Sequence, residues 1–346
     1  MVRKLIAGNT SACILPIFFI AGAKVCKVYN NAIQAHGDVL FQEVNYSCSM
    51  EKPLTMDLHV HSTFSDGLLK PSELVDMAKT DGLSAISITD HDTAAGTEEA
   101  LQRGRQHGIE VIPGIEISSW YNSTSMHILG YWIKHDDRKF RGRLQELQNG
   151  RHIRNIKIIE NLNRLGITVT IDELTKYSEY GQTGRPHIGR LLVDKGIVKS
   201  VEQAFLHYLG KGKAAYADRF KFTAHDAIAM IREAGGIAVL AHPANLDPSL
   251  RTMPALLRNL HDIGLRGIEV FYPSHTSKAV KKLKKLAVEL NLLVTGGSDF
   301  HGFERSGYKS KGKHGFFHVP YELVEPMRKN KEIRSRLALS AKNKIN

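Results

Sequence analysis

From Met56 onward, short apolar β-rich runs alternate with helical patterns, and this alternation limits the fold more than any other feature of the chain. The strand-like runs are 56–60, 84–89, 109–117, 126–133, 236–241, 266–272, 292–298 and 315–319. Helical periodicity fills 72–81, just behind Pro71, and also 93–107, 224–234, 253–263 and 277–290. Strands that alternate with helices imply an α/β fold with mainly parallel strands. At 346 residues a closed barrel is the natural architecture. One region breaks the rhythm. Residues 135–222 are mostly helical in period, at 140–165, 188–195 and 200–209, and read as a helical insertion between two barrel strands. The expected organisation is an extension at 1–55, a catalytic barrel at 56–134 and 223–320, the insertion as a substrate cap, and a basic tail at 321–346.

The extension differs from the rest in composition. Arg3 and Lys4 precede a mostly apolar stretch at 12–23 that ends in Ala21-Gly22-Ala23, the outline of a secretory signal. Asn9, Thr10, Ser11 and Pro16 interrupt that outline, and Met56 offers an alternative start directly before the first motif. The protein is expected in the cytoplasm, with export only if this leader works as a signal. Cys13, Cys26 and Cys48 all fall in the extension. The main body therefore has no disulfide framework, no thiolate metal site and no cysteine nucleophile. Any metal there must be held by His, Asp and Glu, and the chain has 17 His. No apolar run reaches the roughly 18–20 residues of a membrane helix. Lys and Arg outnumber Asp and Glu by 47 to 35, which suits a polyanionic partner such as a phosphate ester or nucleic acid. The charge run at 278–285 reads as the solvated face of a helix.

His and carboxylate residues gather at the ends of the strand-like runs. His59 and His61 are two apart on a strand, so both imidazoles face one spot. Asp66 follows in the turn Ser65-Asp66-Gly67, and His91 lies in Thr89-Asp90-His91-Asp92 after the run 84–89. Glu116 sits inside an apolar run, where a lone carboxylate is costly unless paired or metal-bound. His127 begins another run, His242 follows 236–241, and Asp299 and His301 follow 292–298 as a second i, i+2 pair. Each alone has an ordinary structural explanation. Together, six His and three carboxylates exceed the needs of one ion. They suit two or three divalent ions with N and O ligands, such as Mn, Fe or Zn. Such clusters clamp attacking and leaving oxygens in phosphoryl transfer and supply metal-bound hydroxide.

The segments His59-Val60-His61-Ser62, Ser65-Asp66-Gly67, Thr89-Asp90-His91-Asp92-Thr93, Pro113-Gly114-Ile115-Glu116, Ala241-His242-Pro243 and Gly297-Ser298-Asp299-Phe300-His301-Gly302 resemble the PHP (polymerase and histidinol phosphatase) family, in order. Gly184-Arg185-Pro186-His187-Ile188-Gly189-Arg190 resembles the subgroup that hydrolyses nucleoside 3′,5′-bisphosphates, with close relatives acting as 5′→3′ exonucleases on short RNA. The resemblance implies a distorted seven-stranded β/α barrel with a trinuclear centre, Mn²⁺ being the first choice of metal. His59, His61, Glu116 and Asp299 would hold one ion; Glu116, His127 and His242 a second; Asp66, His91 and His301 a third. Arg185, His187 and Arg190 would bind substrate, with an arginine fork on the second phosphate. The 55-residue leader and the basic loop 308–314 depart from the family pattern. The implied activity is a metal-dependent phosphoesterase, with no stable nucleic-acid complex and no membrane span. A histidinol-phosphate phosphatase-like enzyme is the alternative hydrolase, and a non-catalytic PHP module for nucleic-acid binding is the alternative of another class.

Overall fold

The computed structural model describes residues 26–35, 38–46, 53–178, 180, 182–302 and 315–332. The signal-like segment, the basic loop 308–314 and residues 333–346 of the expected tail lie outside them. The chain divides into two units, Met1–Pro53 and Leu54–Asn346. In the first, β1 (Cys26–Ala35) pairs antiparallel with β2 (Asp38–Tyr46), with a register shift between Tyr29 and Ala32.

In the second unit the expected alternation is present: β3 (Thr55–Val60), α1 (Pro71–Thr80), β4 (Ala85–Ile88), α2 (Thr97–His107), β5 (Glu110–Val111) and β6 (Gly114–Tyr121) follow one another. The run 109–117 is two strands, because Pro113 has no N–H for a ladder. β6 turns directly into β7 (Thr124–Tyr131) through Asn122 and Ser123, both at positive φ. After the insertion come β8 (Phe222–Thr223), α7 (Ala224–Glu233), β9 (Ile237–Leu240), α8 (Pro243–Leu246), α9 (Met253–Asp262), β10 (Gly267–Phe271), α10 (Ser277–Glu289) and β11 (Leu293–Gly296). The run 315–319 yields only β12 (Val319–Pro320). Residues 324–332 are helical, and Val324 and Met327 are buried with Met56, Leu58 and Val319, so this part of the expected tail is packed core.

The strands form a six-stranded sheet, β11-β10-β9-β7-β6-β8, and a four-stranded sheet, β12-β3-β4-β5. Five pairings are parallel, β3–β4, β4–β5, β6–β8, β9–β10 and β10–β11, and three are antiparallel, β6–β7, β7–β9 and β12–β3, so the described sheets are mixed with parallel pairs in the majority. The hairpin at 122–123 is the reason: β7 returns beside β6 with no crossover, which reverses its direction. The two sheets meet at two isolated parallel bridges, Val60 with Phe300 and His91 with Glu116, and among the described residues no continuous ladder closes them into one barrel. Each junction falls where side chains of the His and carboxylate cluster project.

The insertion carries α3 (Arg138–Arg164), α4 (Ile171–Thr175), α5 (Arg185–Asp194), α6 (Val201–Ala204) and a π-helical turn at Phe205–Leu209. Asp137 caps α3 by accepting the Phe140 N–H at 2.8 Å. This helix serves two cores. Phe140, Leu144 and Leu147 pack with Ile115 and Ile117 of β6 and Ile228 of α7, while Ile158, Ile159 and Leu162 pack with Leu174, Ile188 and Leu192 of the insertion. No helix among the described residues is long and apolar enough to cross a membrane.

Candidate active site

Short, buried strands build the site. β3 delivers His59 and, one residue past its end, His61; both are fully buried. The loop behind them folds back sharply. Asp90 holds it, accepting the Ser62 N–H at 2.7 Å, the Ser62 hydroxyl at 2.5 Å and the Ser65 hydroxyl at 2.6 Å. A Cβ at Gly67 would fall on the carbonyl of His61, so only glycine allows this return, which presents Asp66. Beyond the strand ends, Asp92 (φ 57°), His242 (φ 29°) and Asp299 (φ 57°) adopt positive φ. Such backbone persists where its surroundings over-determine it, and it is common at functional sites. At His242 the fixing contact is visible: its N–H donates to Glu269 Oε2 at 2.6 Å.

All nine residues singled out in the sequence converge. Glu116 is the hub. Its Oε1 lies 2.8 Å from His127 Nδ1 and 3.1 Å from His242 Nε2. Its Oε2 lies 2.8 Å from His91 Nδ1, 3.3 Å from His61 Nε2 and 3.5 Å from His59 Nε2. Asp299 Oδ1 is 3.0 Å from His61 Nε2 and 3.3 Å from His59 Nε2. Asp66 Oδ1 is 3.2 Å from His301 Nε2, and its Oδ2 is 3.9 Å from His91 Nε2. Three groups have ligand atoms in mutual reach of 4.8 Å: His59, His61, Glu116 and Asp299; His61, Asp66, His91 and His301; and His91, Glu116 and His127. The first is the set implied by the family resemblance. The others differ: His61 joins the Asp66 group, and His91 stands in place of His242 in the Glu116–His127 group.

Several atoms of the donor set remain unbonded. His59 Nε2, both ring nitrogens of His61, His91 Nδ1, Asp66 Oδ1 and Glu116 Oε2 are buried without a hydrogen bond. Buried polar atoms almost always have partners. Here they crowd common points without hydrogen-bond geometry, as donors to shared cations do. The residues fit two or three divalent ions with mixed N and O ligands.

Charge is strongly coupled. Burial alone would raise Glu116, yet His127, His91 and His59 hold it well below the carboxylate range. Burial also opposes ionisation of Asp66, which His301 and His91 nonetheless keep well below its usual value. Against burial, Asp66 raises His301 to about 10. Burial and the neighbouring His301 and His91 push His61 down to about 3.

Several contributors were not evident from the sequence. Glu269 Oε1 faces His59 Nδ1 at 2.9 Å, a carboxylate behind the histidine of the kind that orients metal-bound imidazoles. Its signal was available: a lone Glu in the apolar strand Gly267–Phe271, as with Glu116. The Tyr272 hydroxyl donates to Asp299 Oδ2 at 2.9 Å. Asp92, buried, pairs with Arg151 Nη2 at 2.6 Å and Arg219 Nη1 at 2.8 Å. Among the expected substrate residues, Arg190 borders a cavity of about 400 Å³ with Asp66, His301, Pro186, Val201 and Phe205. Its Nη2 donates to the Asp66 carbonyl at 2.9 Å. Arg185 instead donates to the Leu209 carbonyl at 3.2 Å and lies over the rings of Phe205 and Tyr216. His187 is buried, its Nδ1 accepting the Gly184 N–H at 2.9 Å.

An α/β scaffold whose strand ends gather six imidazoles and three carboxylates defines a hydrolase of phosphate esters. The chain belongs to the PHP family. The PHP domain model matches residues 57–212. The chain is 36% identical over 245 residues to a 5′-3′ exoribonuclease of Haemophilus influenzae, covering 71% of this chain and 89% of that one. It is 32% identical over 247 residues to a 3′,5′-nucleoside bisphosphate phosphatase of Chromobacterium violaceum, covering 71% and 87%. Among solved structures, a Bifidobacterium adolescentis chain classed as a metal-dependent phosphoesterase superposes with a TM-score of 0.71 at 28% identity, over 80% of this chain and 96% of that one.

Proposed function

We propose that this protein hydrolyses the 3′-phosphate of nucleoside 3′,5′-bisphosphates and acts on short 5′-phosphorylated RNA, using two or three divalent ions with Mn²⁺ first among Mn, Fe and Zn. The observation that carries this reading is the pairing of a nine-residue His and carboxylate centre with an arginine-bearing insertion in contact with it. When bound, the ions would supply Lewis-acid charge for the phosphoryl oxygens and acidify water. His59, His61, Glu116 and Asp299 would hold one, with Glu116, His127 and His242 and then Asp66, His91 and His301 around the others. Glu269 orients His59 and fixes the backbone of His242. Tyr272 fixes one oxygen of Asp299 and leaves the other toward the histidines. Arg190 stands at the cavity beside Asp66 and His301, and in this reading it would meet phosphate oxygens.

The same reading treats the two sheets as one distorted seven-stranded barrel, β3, β4, β6, β7, β9, β10 and β11, joined at the Val60–Phe300 and His91–Glu116 bridges. Residues 56–134 and 223–320 form that body, with 135–222 as its cap. The test is turnover by the Mn²⁺-loaded protein on adenosine 3′,5′-bisphosphate, a short 5′-phosphorylated RNA and histidinol phosphate. The bisphosphate or the RNA should exceed histidinol phosphate by at least about tenfold in kcat/KM. Preference for histidinol phosphate would overturn the nucleotide reading, and no turnover of any would support a non-catalytic module.

A further inference from the structure

The helix between β10 and β11 carries a stripe of cations along its outer face that the centre described above does not use. Leu283, Leu286 and Ala287 of α10 are buried in the same core as Ile268 and Val270 of β10. Away from that core, Lys278, Lys281, Lys282 and Lys285 follow one another at i, i+3, i+4 and i+7, and all four are exposed. A helix face that is merely solvated mixes the two signs, because opposite charges three or four residues apart attract. Here the spacing sets lysine against lysine at 278–281, 278–282, 281–285 and 282–285. The first turn holds no acidic residue, although the helix dipole favours one there and disfavours Lys278. Among the described residues the stripe pairs with one carboxylate, Glu289 at the far end of the helix, 3.6 Å from Lys285. Each of these arrangements costs α10 stability while the stripe is bare, and a polyanion laid along it would offset the cost.

The stripe starts at the rim of the centre. β10 and β11 are parallel, so α10 runs back between them and begins at the end where β10 stops. That end carries Tyr272, whose hydroxyl holds Asp299. Thr276 caps the helix, accepting the Ala279 N–H at 3.2 Å. From Lys278 to Lys285 the stripe leads about 10 Å away from the rim, by the rise of an α-helix. The Lys282 ammonium donates to the Ser249 carbonyl at 3.3 Å, which joins the stripe to the loop after α8, the helix that His242 opens. Arg251 is exposed in the same loop. The acid of that loop, Asp247, commits both oxygens to it, accepting from Ser249 and Thr252.

We propose that Lys278, Lys281, Lys282 and Lys285, with Arg251 beside them, form a docking surface for the phosphodiester backbone of single-stranded RNA, on the 3′ side of the nucleotide being cleaved. This rests on the nucleotide reading above. A nucleoside bisphosphate ends at its scissile phosphate, whereas an RNA continues past it and must leave the centre over the rim. Lysines suit that path, because a point charge on a flexible stem neutralises successive phosphates without reading the bases. An anionic bilayer is a polyanion too, but the helices that lie in one bury an apolar face there. The apolar face of α10 is turned into the core, and among its large apolar residues Val288 alone is exposed.

The test compares the full chain with a variant combining Lys278→Gln, Lys281→Gln, Lys282→Gln and Lys285→Gln, since glutamine keeps the helix propensity of lysine. Without metal, a 5′-phosphorylated decanucleotide RNA should bind the variant at least tenfold more weakly at low salt. For a single strand, log affinity falls with log salt at a slope of about 0.7 per phosphate neutralised, so the slope should drop by about 2–3 in the variant. With Mn²⁺ bound, the ratio of kcat/KM for the decanucleotide to that for adenosine 3′,5′-bisphosphate should fall at least tenfold, carried by KM. Unchanged RNA binding in the variant overturns the surface, and so does an equal loss on both substrates. Salt-independent RNA binding by the unaltered chain overturns it even where the variant fails to fold. Binding of the unaltered chain to phosphatidylserine-containing vesicles but not to the RNA overturns it in favour of a membrane. Weaker RNA binding by the variant, with no turnover of any nucleotide, keeps the surface and sinks the functional reading. Turnover of both substrates without that weakening does the reverse.

Discussion

At the scale of single residues, Glu116 commits each oxygen to a different set of imidazoles, Oε1 to His127 and His242 and Oε2 to His91, His61 and His59. A carboxylate in that position can serve two ions. Glu116→Ala should therefore lower bound metal by at least one ion, read by elemental analysis, and cut phosphate release by more than roughly a hundredfold, beyond what loss of an outer contact costs. Near-normal turnover would remove Glu116 from the centre. Glu269→Gln should act through His59, weakening metal affinity by roughly tenfold to a hundredfold without removing a ligand. His187, which is not one of the nine residues of the centre, offers a pH test. Burial lowers it to about 4 from 6.5, so the folded protein keeps it neutral while the unfolded chain takes up a proton below about 6.5. Stability is then lost as pH falls through that window, at roughly 1.4 kcal/mol per pH unit, or about 2 kcal/mol between pH 7 and pH 5. Denaturant unfolding at both pH values should show His187→Gln losing about that much less than the unaltered protein. Parallel losses would mean that His187 is not the titrating group.

At the scale of elements, α3 joins two cores with one helix. Leu162 belongs wholly to the insertion core and is fully buried. Leu162→Ala should destabilise the protein by about 2–5 kcal/mol in denaturant unfolding and leave the bound-metal content unchanged. Loss of metal with it would show that the insertion core supports the centre directly. The strand-then-helix order and the nine site residues were legible because their signals are local: an apolar run, a cap, a polar residue at a strand end. The β6–β7 hairpin was hidden, because Asn122 and Ser123 form a turn without glycine or proline inside what read as two separate strands. Asp92 with Arg151 and Arg219 was hidden for a different reason. Its partners are 59 and 127 residues away, and no period or spacing joins them.

At the scale of the whole molecule, the four apolar clusters found among the described residues and every residue of the centre come from Leu54 onward, within one of the two units. A chain lacking residues 1–53 should therefore retain turnover and bound metal, assayed side by side with the full chain. Lost turnover or an insoluble product would assign the first unit a part in folding. The centre has a larger mechanical consequence. Its residues come from β3, β6 and β7 and from the segments after β3, β4, β9 and β11, so they belong to both sheets. Those sheets are joined in the backbone by single bridges at the same place. Ions held there would cross-link the two sheets, and binding to the folded state alone stabilises it by about 2.7 kcal/mol at a hundred times Kd. Chelation should then lower Tm by roughly 5–10 °C, at about 2–4 °C per kcal/mol for a unit of this size. Added back singly, Mn²⁺, Fe²⁺ or Zn²⁺ should restore Tm and turnover together for the ion that the centre holds. Chelation that abolishes turnover at an unchanged Tm would place the ions on the substrate instead of between the sheets.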